Sequence, residues 1–346
     1  MAATALDERR RDVLRALIQL HIETGEPVGS ESLSRALRRS LSPATLRNLM
    51  ADLEALGYLD HPHTSAGRVP TDEGYRLYVD SMGRQPLDPG EREAIDAALR
   101  TREASAEQTM ERASQLLSRL SRHVGFVFAP DIARTSFRHV DLVPLAFPRI
   151  LVVMVSATGL VTHKVIEFDE KLRAEELSAC ANYLNAHFSG MTLADIRARL
   201  LELMSEEKAL YDSLLQKVVA LGGLAFQDEG EANVYLEGTS NIVGRPGFED
   251  LERLRGLVAT FEEKGRLVRI LNACLSGDGI RVLIGHENPD PDLRDLSLVT
   301  ARAPIEGDEG LGLGVLGSTR MEYAHVVALV DHVARAVSDV LRRQRE

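Results

Sequence analysis

The chain has 346 residues, 44% of them hydrophobic and 27% charged, with a formal net charge of -11, two cysteines and no tryptophan. That make-up describes a globular protein with room for two or three domains. It excludes a disulfide scaffold, and the absence of any apolar run of about 18 residues excludes a membrane-spanning helix. The opening MAATALDERRRDVL lacks the apolar segment of a signal peptide, which points to the cytoplasm.

The acidity is unevenly spread. Residues 1–84 hold 11 arginines against 12 acidic residues, and the remainder holds 30 basic against 40 acidic residues. A near-neutral N-terminal segment suits nucleic acid only if its arginines gather on one face, and Arg9, Arg10, Arg11, Arg38, Arg39, Arg47 and Arg68 are the candidates. Such a segment should bind modestly as a monomer and require dimerisation.

From Leu6 to Ile22 one helical face carries Val13, Leu14, Leu17, Ile18 and His21, and Thr24-Gly25-Glu26-Pro27 ends it. Ser30 is placed to cap a short second helix through Leu37. Ser42 then caps a third, with Pro43 at its first position, and Leu46, Leu49, Met50, Leu53 and Leu56 form an apolar stripe up to Gly57. The opposite face presents Thr45, Arg47 and Asn48, side chains able to hydrogen-bond base edges or phosphates from the major groove. Tyr58-Leu59 reads as a strand, and His61 to Arg68 as a tight hairpin with Arg68 near its tip. Three helices followed by a β-wing give winged-helix order.

A helix over Thr71–Met82 and a linker at Gly83–Gly90 follow. The long helical pattern of Glu91–Arg122 serves as a connector or as part of a dimer seam. Strands are predicted at Val140–Leu145, Ile150–Ala157 and Val161–Phe168, and helices at Ala174–Phe188, Leu193–Leu200 and Leu201–Val219. Further strands are predicted at Val234–Glu237, Leu267–Asn272, Ile280–Gly285, Leu296–Thr300 and Leu313–Leu316, with helices at Phe248–Lys264 and Arg320–Arg342. Strands on both sides of the helical block are expected to complete one sheet, which makes the block, roughly residues 170–232, an insertion.

The stretch SPATLRNLMADLEALGYLDHPHTSAGRVPTDEGYRLYVD at 42–80 resembles the signature of HrcA, the heat-inducible transcription repressor family. VYLEGTSNIV at 234–243, IGHENPDPDLRDLSLVTA at 284–301 and LGVLGSTRMEY at 313–323 resemble it too, in the same order along the chain. The resemblance implies an α+β multidomain protein: an N-terminal winged helix-turn-helix (1–84), a helical linker (85–122), a GAF-like α/β domain (123–169 and 233–346) and an inserted, mainly helical dimerisation domain (170–232). It further implies a homodimer binding a double-stranded inverted-repeat operator, called CIRCE, upstream of chaperone operons, with activity modulated by the GroE chaperonin. Carried onto this chain, the DNA contacts fall on Ser42, Thr45, Arg47 and Asn48, with the wing at His63, Thr64, Ser65, Gly67 and Arg68. Leu49 stands where the family usually has an acidic residue, and Gly317-Ser318 replaces its usual Gly-Pro.

No catalytic, metal or cofactor site is expected. Gly312, Gly314 and Gly317 match GxGxxG, but the helix after them runs to the C-terminus with no second strand, so they read as sheet and turn glycines. Glu287, Asp290, Asp292 and Asp295 lack calcium-loop spacing, His61 and His63 have no cysteine near them in sequence, and Cys180 has no His-Asp partners. The rival reading is a metabolite-sensing regulator with its ligand in the GAF-like domain.

Overall fold

The computed structural model describes residues 6–62, 67–83, 85–100, 105–128, 136–157, 159, 161–205, 213–226, 234–241, 256, 259–261, 263–275, 279–305 and 308–343. The N-terminal unit is built from α1 (Glu8–Thr24), α2 (Ser30–Ala36), α3 (Pro43–Ala55), β1 (Leu59–Asp60), β2 (Val69–Pro70) and α4 (Asp72–Ser81). Asp7 caps α1 by accepting from the Arg10 amide, and Thr71 caps α4 by accepting from the Gly74 amide. Val13, Leu14, Leu17 and Ile18 of α1 pack with Leu33, Leu46, Met50 and Leu53. Ser30 is the first residue of α2 rather than its cap; Gly29 holds that place and makes no side-chain bond. The apolar stripe of α3 ends at Leu53, since the helix stops at Ala55 and leaves Leu56 exposed.

Beyond this unit lie α5 (Pro89–Leu99) and α6 (Ala106–Ser121), the latter opened by a reciprocal Ser105/Gln108 capping box. The segment expected as a helical linker over 85–122 packs into the body. Ile95, Leu99, Met110, Ala113 and Leu117 are buried in one core with Val330, Val333 and Val337 of the C-terminal α11 (Tyr323–Arg343).

The central sheet has five antiparallel strands in the order β7 (Val234–Glu237), β3 (Val124–Phe128), β10 (Asp308–Ser318), β9 (Leu296–Ile305), β8 (Ile280–Ile284). Side chains alternate between its faces. Val127, Val299, Leu313 and Val315 point toward α5, α6 and α11, while Phe126, Phe128, Leu298 and Leu316 point toward α10 (Lys264–Cys274). Leu267–Asn272, expected as a strand, is therefore helix. Its Leu267, Ile270, Leu271 and Cys274 recur at helical spacing and are all buried against the sheet. Most of the helix expected at Phe248–Lys264 lies outside the described residues.

The strands expected to complete this sheet from before the helical block do not join it. β4 (Phe137–Pro144), β5 (Arg149–Ser156) and β6 (Val161–Glu167) form a separate three-stranded antiparallel sheet. One of its faces packs on α7 (Ala174–Phe188), α8 (Leu193–Ser205) and α9 (Ser213–Ala225) through Val140, Leu142, Val152, Leu177, Leu184, Leu200 and Val218. The expected boundary at residue 170 thus divides a sheet from the helices that share its core. The strand that does precede the inserted unit and enter the five-stranded sheet is Val124–Phe128.

Candidate nucleic-acid interface

Helix α3 begins where its sequence dictates. The Ser42 hydroxyl accepts the Thr45 amide at 3.2 Å and lies 2.9 Å from the Thr45 hydroxyl, and Pro43 occupies the first turn. The remaining amides of that turn point outward as an anion-attracting end. Leu46, Met50 and Leu53 are buried, so the helical rotation turns Arg47 and Asn48 to solvent. Arg47 is steadied by Ser30, its Nε donating to the Ser30 hydroxyl at 3.3 Å. Ser42, Thr45, Arg47 and Asn48 thus lie along the first turn and a half of one helix. Thr45 is half-buried; the other three are exposed.

The turn between α2 and α3 carries two of the candidate arginines in an unusual conformation. Arg38 and Arg39 have φ of 49° and 59°, a left-handed conformation that costs an L side chain on the order of 1 kcal/mol. The strain is held by amide bonds from Arg38 to the Arg35 carbonyl at 3.0 Å and from Arg39 to the Ser34 carbonyl at 2.7 Å. Arg38 and Arg39 are exposed, and a hollow of about 420 Å³ beside them is rimmed by Arg35, Arg39 and Ser42. The charge of Arg38 and Arg39 already made them candidates; their conformation, one that glycine adopts freely, next to the N-terminus of α3, is a further signal of function that the backbone angles disclose.

The wing is anchored at its base. Val28 and Arg68 exchange backbone hydrogen bonds at 2.8 and 2.9 Å, adding a bridge beside the β1–β2 pair. Gly67 is there because of close approach: a Cβ would lie 2.7 Å from the Gly29 amide nitrogen and closer still to the Val28 carbonyl. Arg68, expected near the hairpin tip, stands at this base instead, with its Nε donating to Glu54 of α3 at 2.7 Å. Among the described residues it ties wing to helix. His63, Thr64 and Ser65 lie outside the described residues. Arg10 is likewise engaged, bonded to Asp52 and Asp7, and Asp52 followed by Asp7 raises its pKa above the ordinary arginine value.

The chemistry set aside on sequence grounds has structural explanations. Gly312 and Gly314 lie inside β10, where a Cβ would press on Phe128 and Leu275 at 2.5 Å or on Phe126 at 2.7 Å, so these glycines are demanded by packing. Glu287 pairs with Arg76, and Asp290 and Asp292 with Arg266. Both cysteines are buried and unpaired. Burial raises the Cys180 thiol and pushes that of Cys274 up to about 11, the opposite of an activated nucleophile. Among the described residues no group of acidic, His or Cys side chains is placed to hold a metal, and no helix is long and apolar enough to cross a membrane.

A capped helix with outward Arg and Asn, preceded by two helices that complete a helix-turn-helix with it and followed by an anchored hairpin, defines a winged-helix DNA-binding regulator. Residues 5–81 match the family described as winged helix-turn-helix transcription repressor, HrcA DNA-binding, and residues 107–327 match the HrcA protein C terminal domain. The chain is 43% identical over 340 residues to the heat-inducible transcription repressor HrcA of Geobacter sulfurreducens, covering 98% of this chain and 99% of that one. It is 38% identical to that of Syntrophobacter fumaroxidans, with 99% of each chain covered, and 42% identical to that of Xanthomonas campestris, with 95% and 94% covered. A crystal structure titled only as a hypothetical protein shares the fold, with a TM-score of 0.65, 24% identity and coverage of 98% of this chain and 99% of that one. The chain belongs to the HrcA family of heat-inducible transcription repressors, a family of DNA-binding proteins and not of enzymes.

Proposed function

We propose that this chain is a cytoplasmic, homodimeric repressor of heat-shock genes, whose two α3 helices read the halves of an inverted-repeat operator of the CIRCE type and block transcription. The observation that carries this reading is the outward pair Arg47 and Asn48 on the first turn and a half of a capped helix, with the strained Arg38-Arg39 turn beside it. Arg47 and Asn48 specify sequence, while Ser42, Thr45, Arg38 and Arg39 contact phosphate and position the helix. In this reading His63, Thr64, Ser65 and Gly67 contact the adjoining DNA backbone, and Arg68 braces the wing through Glu54.

The inserted unit supplies the dimer contact. The outward face of its sheet carries Val143, Leu151 and Val165 in one row, with Val153, Val155 and Val161 beside them. Val143, Leu145, Phe147, Val161 and Val165 are exposed, all at this sheet or its β4–β5 turn, an apolar concentration that a partner is needed to cover. A second copy fits because the charges bordering the patch, Asp141, Arg149, His163 and Glu167, include both signs and can be met by their symmetry mates. The five-stranded domain is the GAF-like body between reader and dimer unit. The GroE chaperonin is the modulator that the family resemblance implies, and the same apolar patch, when uncovered, is the surface offered to it.

Fluorescence anisotropy with an inverted-repeat operator duplex and a scrambled control, at several salt concentrations and with added chaperonin, tests the proposal. Preference for the repeat that falls steeply with salt is expected, and Arg47→Ala should weaken it by about 1–3 kcal/mol. Equal binding of both duplexes, or a folded Arg47→Ala protein that binds like the wild type, would overturn it.

A further inference from the structure

One face of α4 is committed to the central body by a set of contacts spaced at i, i+3 and i+4. Asp72 Oδ2 accepts both the His286 amide at 2.9 Å and the His286 Nδ1 at 2.7 Å. Tyr75 packs its ring against Tyr323 with centroids 6.0 Å apart, and both rings are buried. Arg76 forms a two-pronged pair with the Glu287 carboxylate, with Nε to Oε1 at 2.7 Å, and sends Nη2 to the Val282 carbonyl at 2.6 Å. Glu287 is itself held, accepting the Ile284 amide at 2.9 Å. On the body's side the same short turn fits tightly: Gly285 has φ of 53°, and any Cβ there would run into the Asp72 carboxylate. A second point of apposition lies at α1, where the Arg320 guanidinium sits against Gly25.

This joint has two unlike parts. The tyrosine pair is dry and belongs to the continuous core. The Arg76–Glu287 and Asp72–His286 contacts are partly exposed, with Arg76 at 29% and Glu287 at 35%, so they contribute modestly to stability while fixing direction through forked geometry. Neither touches the face of α3 that carries Arg47 and Asn48.

We propose that Arg76, Glu287, Asp72 and His286 are positioning residues that set the orientation of the reader on the body, and through it the spacing of operator half-sites that the protein accepts. In a symmetric dimer the two recognition helices must meet half-sites separated by a whole number of helical turns, so the angle at this joint is read out as base pairs of spacer. The proposal rests on the homodimer reading given above. The apolar tyrosine contact keeps reader and body together, and the polar forks choose among the rotations that contact would allow.

The test uses the full-length protein with labelled duplexes in which the spacer between the two half-sites is varied in single base-pair steps over one helical turn, and a duplex carrying one half-site. Wild type should favour one spacing by roughly tenfold over spacers two base pairs longer or shorter, the order of one lost specific contact. In Arg76→Ala, and more gently in Glu287→Gln, that preference should shrink to about threefold or less with half-site affinity changed by less than about twofold. Retention of the full spacing preference in both variants would overturn the proposal, as would an equal loss on half-site and full operator, which is the mark of a merely stabilising contact. A wild type that binds one protomer per duplex at every spacing would overturn the dimer reading itself, and is recognised by its stoichiometry.

Discussion

Replacing Gly67 with alanine should loosen the wing without touching any DNA contact on α3. The added methyl group would overlap the Val28 carbonyl and lie 2.7 Å from the Gly29 nitrogen, both backbone atoms that cannot rotate away. The strand must move, and the two hydrogen bonds between Val28 and Arg68, at 2.8 and 2.9 Å, are the contacts it gives up. At a net 0.5–1.5 kcal/mol for each bond the local cost is about 1–3 kcal/mol. Native-state hydrogen exchange reads that cost directly: the Val28 and Arg68 amides should exchange roughly 5 to 150 times faster, while buried α1 amides hold their rates. Gly29 provides the control, because a Cβ there meets nothing within 4 Å and its φ of -85° suits any residue. Gly29→Ala should therefore leave both amides protected. Unchanged exchange at Val28 and Arg68 in a folded Gly67→Ala protein would refute the close-approach argument.

Arg39→Gly relieves a left-handed φ and should raise stability by about 1 kcal/mol in denaturant unfolding, yet weaken operator binding through loss of a phosphate contact; a variant that gains stability and binds as well as wild type removes Arg39 from the interface. His21 is buried with its Nδ1 3.0 Å from the Glu26 carbonyl, and burial lowers its pKa. Its stabilisation should accordingly be complete above the unfolded value of about 6.5 and be lost as pH falls from there toward the lower folded value. Denaturant midpoints at pH 7.5 and pH 5 should show a larger drop in wild type than in His21→Gln, and equal drops would show that another group carries the slope. Val165→Asp places a charge at the β6 end of the outward row Val143, Leu151, Val165 and should shift sedimentation equilibrium toward monomer with the circular dichroism spectrum unchanged; an unaltered dimer would move the interface elsewhere.

The start of α3 was legible because its signals are local. Ser42 and Pro43 cap and open the helix, and Leu46, Met50 and Leu53 repeat at its period. Gly312 and Gly314 of the GxGxxG match read as sheet glycines from the sequence, and both lie inside β10. α10 was misread because LVRIL looks like a buried strand when its run is taken alone; the wider pattern of Leu267, Ile270, Leu271 and Cys274 carries the helical period that separates the two. The company kept by β4, β5 and β6 was not legible at all, since which sheet a strand joins depends on partners far along the chain and not on its own alternation. Arg68 shows the same limit in a single residue. Its place in the hairpin suggested a tip, but Glu54, 14 residues earlier, determines where its charge goes.

The core of the inserted unit does not merge with the one the reader belongs to, and that divides the protein's tolerance of heat. The reader, α5, α6, α11 and one face of the five-stranded sheet share a continuous apolar interior, whereas the inserted unit encloses its own. An interior shared in this way is expected to melt as one, and a separate one is free to melt first. On the homodimer reading proposed above, loss of the inserted core alone would leave each reader folded and able to hold a half-site, but no longer tethered to its twin. The second binding event would then draw on protein from bulk solution and no longer on an effective local concentration in the millimolar range, a loss of about 10²–10⁴ in avidity with no recognition residue disturbed. Temperature would act on valency and leave sequence reading intact, which calorimetry run beside half-site and full-operator titrations would register as a first transition that abolishes only the advantage of the full site.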